Sequence, residues 1–255
     1  MKRTVRFLNV DIQSITQEEL LRSLSKGTLI TPNVDHLVKL QKDKEFYTLY
    51  QKAEWIICDS KILYLMSKLL KHSLPMAIPG STFFTSFYEY HKNDFNCKIF
   101  LLGSAEGVAK KAMKYINDKV GREIVVGAHS PSYGFEKNVE ECEELTRIVN
   151  ASGANILLVG VGAPKQEKWI MKYRDHMPAV DIFMALGATI DFEAGVLKRA
   201  PKAWQKCGME WFYRTLKEPK RLLKRYFVDD IQFFYYFGKP VSYTHLRAHE
   251  TVLDL

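Results

Sequence analysis

A chain of 255 residues with 47% hydrophobic and 26% charged residues is long and apolar enough to bury a substantial core, which excludes intrinsic disorder. No window approaches the roughly 20 apolar residues that span a bilayer, and the four scattered cysteines hold no CxxC pair, which argues against a zinc site or disulfide framework and fits a reducing, cytoplasmic setting. The net charge of +8 is confined: ten basic and two acidic residues lie between Lys198 and Arg225, while the rest balances at 27 of each, so an anionic partner is expected at one place.

From the start, "MKRTVRFLNVDIQS" is not expected to act as a signal peptide, because Asp11 cuts its apolar run short. "TVRFLNV" is predicted as a first strand, and Thr16 with Glu19 forms a capping box ahead of "ELLRSL". "TLIT", "EWIIC", "KIFLLG", "EIVVGA", "NILLVGVG" and "DIFMALG" are predicted as further strands. Between them run helix-period stretches such as "VDHLVKLQKDKEFYTLY" and "EGVAKKAMKYINDKV". Nearly all-apolar strands alternating with helices predict an α/β fold with a Rossmann-like, mostly parallel sheet covered on both faces. In such sheets ligands bind beyond the carboxyl ends of the strands, so those ends are where chemistry is sought.

Four strand ends stand out. In "TPNVDHL", Thr31 and Asn33 follow a strand; Asn33 can cap a helix, touch a ligand, or do both. In "WIICDS", Asp59 stands directly after an apolar strand, where a carboxylate can act as a general base or merely cap the next helix. In "VGVGAPKQEKW", small residues lead to Pro164, placed at the first helical position, and their backbone N–H groups are expected to face an anion beside Lys165 and Gln166. "LLGSAEGVAKKA" offers a weaker version of that geometry at Gly103. The pattern is neither Walker A nor GxGxxG. In "LGATIDFEAG", Asp191 and Glu193 would share a face on a strand, with Asp59 as a metal site or paired carboxylates, or, as the lack of other hard ligands nearby favours over the metal, as a grip on a nucleoside.

Serine or cysteine nucleophiles lack their motifs. His36, His72, His91, His129 and His176 are scattered and read as structural or exposed. After Pro219 a helix would gather Leu222, Leu223, Tyr226, Phe227 and Phe234 on one side and Lys220, Arg221, Lys224 and Arg225 on the other. Such a basic amphipathic helix suits an anionic membrane surface, or else covers a core. The final "VSYTHLRAHETVLDL" breaks the pattern and reads as a non-native, read-through tail. Three parts are expected: a core of 1–197, a basic helical appendage of 198–240, and the tail of 241–255.

Taken together, "TPNVDHL", "WIICDS", "PGSTFF", "FLLGSAEG", "VGVGAPKQEKWI" and "ALGATIDFEAGVLKRAP" resemble, in order, the WecG/TagA/CpsF family of glycosyltransferases. The resemblance implies an inverting, metal-independent enzyme of bacterial surface polysaccharide assembly (teichoic acid, capsule or exopolysaccharide) that needs no cofactor. It would move an N-acetylmannosamine-type sugar from a UDP-sugar to a polyprenyl-diphosphate-linked N-acetylglucosamine, working peripherally on the inner face of the plasma membrane. Asp59 would be the catalytic base. Thr31, Asn33, Gly103, Tyr133, Gly160, Gly162, Lys165, Gln166, Asp191 and Glu193 would bind substrate, joined by Arg214, Arg221 and Arg225 of the basic segment. Two positions depart from the family pattern: Ser60 replaces a common Gly after the base, and Ala77 stands where an Arg is common. No nucleic acid is expected as a partner, and a homo-oligomer is compatible with the chain. The competing readings are a non-catalytic nucleotide- or nucleic-acid-binding protein and a paired-carboxylate glycoside hydrolase.

Overall fold

The computed structural model describes residues 3–198 and 231–238. Its centre is a six-stranded, all-parallel sheet. The strands are β3 (Gly27–Ile30), β4 (Trp55–Ile56), β5 (Ile99–Gly103), β6 (Val125–His129), β7 (Ile156–Gly160) and β8 (Ile182–Ala185), in the order β4-β3-β8-β7-β5-β6. The alternation of side chains along each strand divides the core in two. Leu157 and Val159 of β7 belong to one apolar cluster, with Leu37 and Val38 of α2 (Val34–Lys42), Phe46 of α3 (Lys44–Tyr50), Leu145 of α7 (Val139–Ala151) and Trp169 of α8 (Lys165–Tyr173). Ile156 and Leu158 belong to the other, with Leu20 of α1 (Gln17–Ser23), Phe83 and Phe87 of α5 (Gly80–Tyr90), Ile116 of α6 (Val108–Val120) and Ile190 of α9 (Thr189–Glu193). A sheet buried on both faces explains why its strands read as continuous apolar runs.

Four local expectations are corrected. "TVRFLNV" is not a strand of the main sheet: β1 (Thr4–Phe7) and β2 (Val10–Gln13) form a separate antiparallel hairpin that turns at Leu8, whose φ is +53°. Its inward residues Val5, Phe7, Val10 and Ile12 join the first cluster. "VDHLVKLQKDKEFYTLY" is two helices, because Asp43 ends α2 and its carboxylate caps α3 by accepting from the Phe46 N–H at 2.9 Å. "ATIDFE" is helical, as α9, rather than a strand.

The fourth correction concerns the appendage. Helix α10 (Ile231–Gly238) lies against α2, and Phe233 is buried in the first cluster. Phe237 stacks at 6.2 Å from Phe7 of the hairpin. This part of the expected membrane appendage therefore covers the core. The basic run from Lys202 to Arg225, with Arg214, Arg221 and Arg225, and the tail of 241–255 lie outside the described residues.

Candidate active site

A cleft of about 1660 Å³ opens beyond the carboxyl ends of the parallel strands. Among the described residues its wall includes Thr31 and Asn33 after β3, Asp59 after β4, Ser104 after β5, Tyr133 after β6, Gly160, Gly162, Lys165 and Gln166 after β7, and Asp191 of α9. Residues scattered over 160 positions of sequence thus face one space because every parallel strand delivers its end to the same side.

Asp59 is fixed from both sides. Its N–H donates to the Pro32 carbonyl at 3.1 Å, which ties it to the end of β3. Its Oδ1 accepts from the Gly80 N–H at 2.8 Å, at the first turn of α5. The reading of Asp59 as the cap of α4 (Lys61–Ser67) is corrected: Ser60 is that cap, its Oγ accepting from the Leu63 N–H at 3.4 Å. Ser60 thus has a structural reason that the family's common Gly would lack. Thr31 is buried at the cleft floor, and Asn33 both lines the cleft and caps α2 by accepting from the His36 N–H at 3.1 Å.

The turn between β7 and α8 differs from expectation. Pro164 follows a cis peptide and precedes the first helical residue, Lys165, instead of occupying it. The N–H groups of Gly162 and Gly187 both donate to Oε1 of Gln166, at 3.0 and 3.1 Å. Those two groups therefore serve a side chain of the protein, and Gln166 acts as a clamp that holds the loop after β7 to the loop after β8. Gln166 Nε2 in turn donates to Oε1 of Glu167 at 2.8 Å. Glu167 is wholly buried with no hydrogen-bond partner for Oε2. Burial raises its pKa to about 7, against the Gln166 hydrogen bond. Below the cleft floor Tyr50 is also buried, and burial, with Glu167 and Asp59 adding, holds its phenol well above the usual range.

The glycines act through close backbone approach. A Cβ on Gly103, whose φ is +138°, would stand 2.5 Å from the Gly160 carbonyl oxygen, and a Cβ on Gly160 would stand 2.6 Å from that of Gly187. Gly103 is not among the residues that line the cleft, whereas its neighbour Ser104 is. Ser104 donates from Oγ to Asp191 Oδ1, so the ends of β5 and α9 are joined at the cleft wall.

Asp191 and Glu193 do not share a face. Glu193 points toward a second, smaller pocket and accepts from Thr85 Oγ1 at 2.6 Å and from the Tyr88 hydroxyl at 3.0 Å. Burial, reinforced by Glu193, pushes the Tyr88 phenol up to about 12. The pairing of the two carboxylates in one site is corrected, since residues two apart on a helix diverge. Tyr133 is fully exposed at the rim, with the Lys165 ammonium 5.0 Å from its ring and 3.0 Å from Glu136.

Sequence reasoning missed Ser104, Gly187, Lys39 and Glu167. All four stand in or beside the strand-end segments, but nothing in the one-dimensional pattern ties Ser104 to Asp191 or Gly187 to Gln166. Lys39 lines the cleft, bonds Asp35 at 2.8 Å and reaches the Ala163 carbonyl at 3.4 Å. Among the described residues no group of three or more His, Cys, Asp or Glu is gathered to hold a metal ion. Nor is any described helix long and apolar enough to cross a membrane. A comparison with protein-family models matches residues 5–244 to the glycosyl transferase WecG/TagA/CpsF family.

Proposed function

The chain belongs to the WecG/TagA/CpsF glycosyltransferase family, and from that premise we propose that it moves an N-acetylmannosamine-type sugar from a UDP-sugar to a polyprenyl-diphosphate-linked N-acetylglucosamine. Membership makes it a glycosyltransferase of cell-surface polysaccharide biosynthesis, using a sugar-nucleotide donor and a lipid-linked acceptor. The observation that carries the finer reading is the fixed carboxylate of Asp59 in the same cleft as the clamped loop after β7.

In this mechanism Asp59 takes the proton from the acceptor hydroxyl as that oxygen attacks the anomeric carbon. The bond to the diphosphate breaks on the opposite face, UDP leaves with the electron pair, and the configuration inverts. Thr31 and Asn33 hold the acceptor beside the base, and Asp191 accepts from the nucleoside. The positive N-terminal end of α8 and cations at the rim meet the leaving charge. Lys61 is the proposed substitute for the arginine missing at Ala77: both residues line the cleft, and Lys61 makes no ion pair among the described residues. Arg214, Arg221 and Arg225 add further charge from the basic segment, which works on the cytoplasmic membrane face.

Product analysis with UDP-N-acetylmannosamine and a lipid-diphosphate-linked N-acetylglucosamine tests the reading. A disaccharide on the lipid with inverted anomeric configuration supports it. Retention of configuration, or hydrolysis of the donor alone, overturns it.

A further inference from the structure

Leu65 of helix α4 and Leu69 just past its end are exposed apolar side chains for which the proposed transfer chemistry has no use. Leu65 is 55% exposed, Leu69 80% and Met76 38%. Leu65 and Leu69 stand one turn apart, because the Leu69 N–H still donates to the Met66 carbonyl, at 3.0 Å, beyond the end of α4. The returning segment is pinned alongside: the Leu74 N–H donates to Ser67 Oγ at 3.0 Å, and Lys68 Nζ reaches the Leu74 carbonyl at 3.4 Å. Single exposed leucines need no explanation. Two exposed leucines one turn apart, with Met76 exposed on the returning segment, do.

The sequence that carries them is basic. Between positions 60 and 88 the chain has Lys61, Lys68 and Lys71 and no Asp or Glu. Lys61 and Lys68 hold their ammonium groups 4.7 and 4.8 Å from the ring of Tyr64, so the aromatic sits between two cations. Apolar tips, an aromatic and flexible cationic stems packed on it suit the boundary between headgroups and acyl chains. The leucines alone would fit a protein partner equally well. The three lysines of this segment favour an anionic lipid surface. Position agrees, since Lys61, Tyr64 and Met76 also line the cleft.

We propose that the α4–Met76 surface is a lipid-contact face of the catalytic core, separate from the basic C-terminal segment, which seats the cleft mouth against an anionic bilayer. The proposal rests on the reading of the acceptor as lipid-linked. Leu65 and Leu69 enter the headgroup boundary, and Lys68 and Lys71 meet the phosphates.

Co-sedimentation of the full-length protein with phosphatidylglycerol-containing vesicles tests it, alongside assays with a vesicle-borne acceptor and a short-chain, water-soluble one. The double variant Leu65→Ser, Leu69→Ser should lose at least fivefold in partitioning and raise KM for the vesicle-borne acceptor. Its KM for UDP-sugar and its turnover on the soluble acceptor should stay as in the parent, which also shows that the variant folds. Leu65→Met, Leu69→Met should restore partitioning. Unchanged partitioning of the serine variant overturns the proposal, and a shift in its oligomeric state by sedimentation velocity would then assign the face to a second copy of the chain. Failure of the transfer reading is separately visible, as absent product on both acceptors whatever the vesicle result.

Discussion

Asp59 and Glu167 are two carboxylates with opposite surroundings, and they lead to opposite expectations. Asp59 faces the cleft with one oxygen bonded to the Gly80 N–H. General-base assistance is worth about 10²–10⁴ in rate, so Asp59→Asn should lower kcat by that range while binding of UDP, measured by calorimetry, stays near the parent value. A kcat within threefold of the parent would remove Asp59 from the role. Glu167 is buried without a partner for Oε2, and its pKa of about 7 lies above the ordinary 4.5. The folded state therefore holds a proton that the unfolded state releases. Its contribution to stability is fully present below pH 4.5 and is lost as pH rises through about 7, by on the order of 3 kcal/mol. Glu167→Gln keeps an acceptor for Gln166 and carries no ionisation. The melting-temperature difference in favour of the variant should accordingly grow between pH 5 and pH 8. A difference that is flat across that range would show that Glu167 does not titrate there.

At the scale of elements, the carboxyl ends of β5, β7 and β8 approach so closely that only glycines fit between them. Gly160→Ala must displace the loop at Gly187 that Gln166 clamps, and overpacking of this kind costs about 1–3 kcal/mol. Urea unfolding should show a lower midpoint with an unchanged slope, and donor KM should rise because the cleft wall shifts. A parent-like midpoint and KM would mean that the loop gives way freely. The same elements show what was legible in the sequence. The six buried strands and their helices announced themselves through continuous apolar runs and 3.6-residue periods. The hairpin did not, because its turn places Leu8 in the left-handed region where an Asn-Gly signal would be sought. Helix α9 spans five residues with a β-branched Thr and Ile, too short for a helical period to show. Motif order located the cleft, since Asp59, Thr31 and Asn33 need only stand after their strands to face it. The Gln166 clamp joins residues 21 apart through backbone groups, and no residue pattern encodes such a bond.

At the scale of the whole molecule, the charge and the exposed apolar surface lie in different parts of the chain. The entire net charge of +8 falls between Lys198 and Arg225, whereas Leu65 and Leu69 belong to the first half of the sequence. Either alone makes a weak membrane signal, because stable peripheral attachment usually combines apolar insertion with electrostatic attraction. Each Lys or Arg near an anionic leaflet contributes roughly 1 kcal/mol, and the attraction fades within a Debye length. Replacing Lys220, Arg221, Lys224 and Arg225 with Gln should therefore cut partitioning to phosphatidylglycerol-containing vesicles by tenfold or more at low salt. The loss should shrink as salt rises, since screening already weakens the parent. Replacing Leu65 and Leu69 instead should give a loss that persists in high salt, because apolar insertion is not screened. If both variants show the same salt dependence, the two regions do not divide the task in this way. If the charge variant partitions like the parent, the concentrated positive charge serves the cleft and its anionic substrates alone.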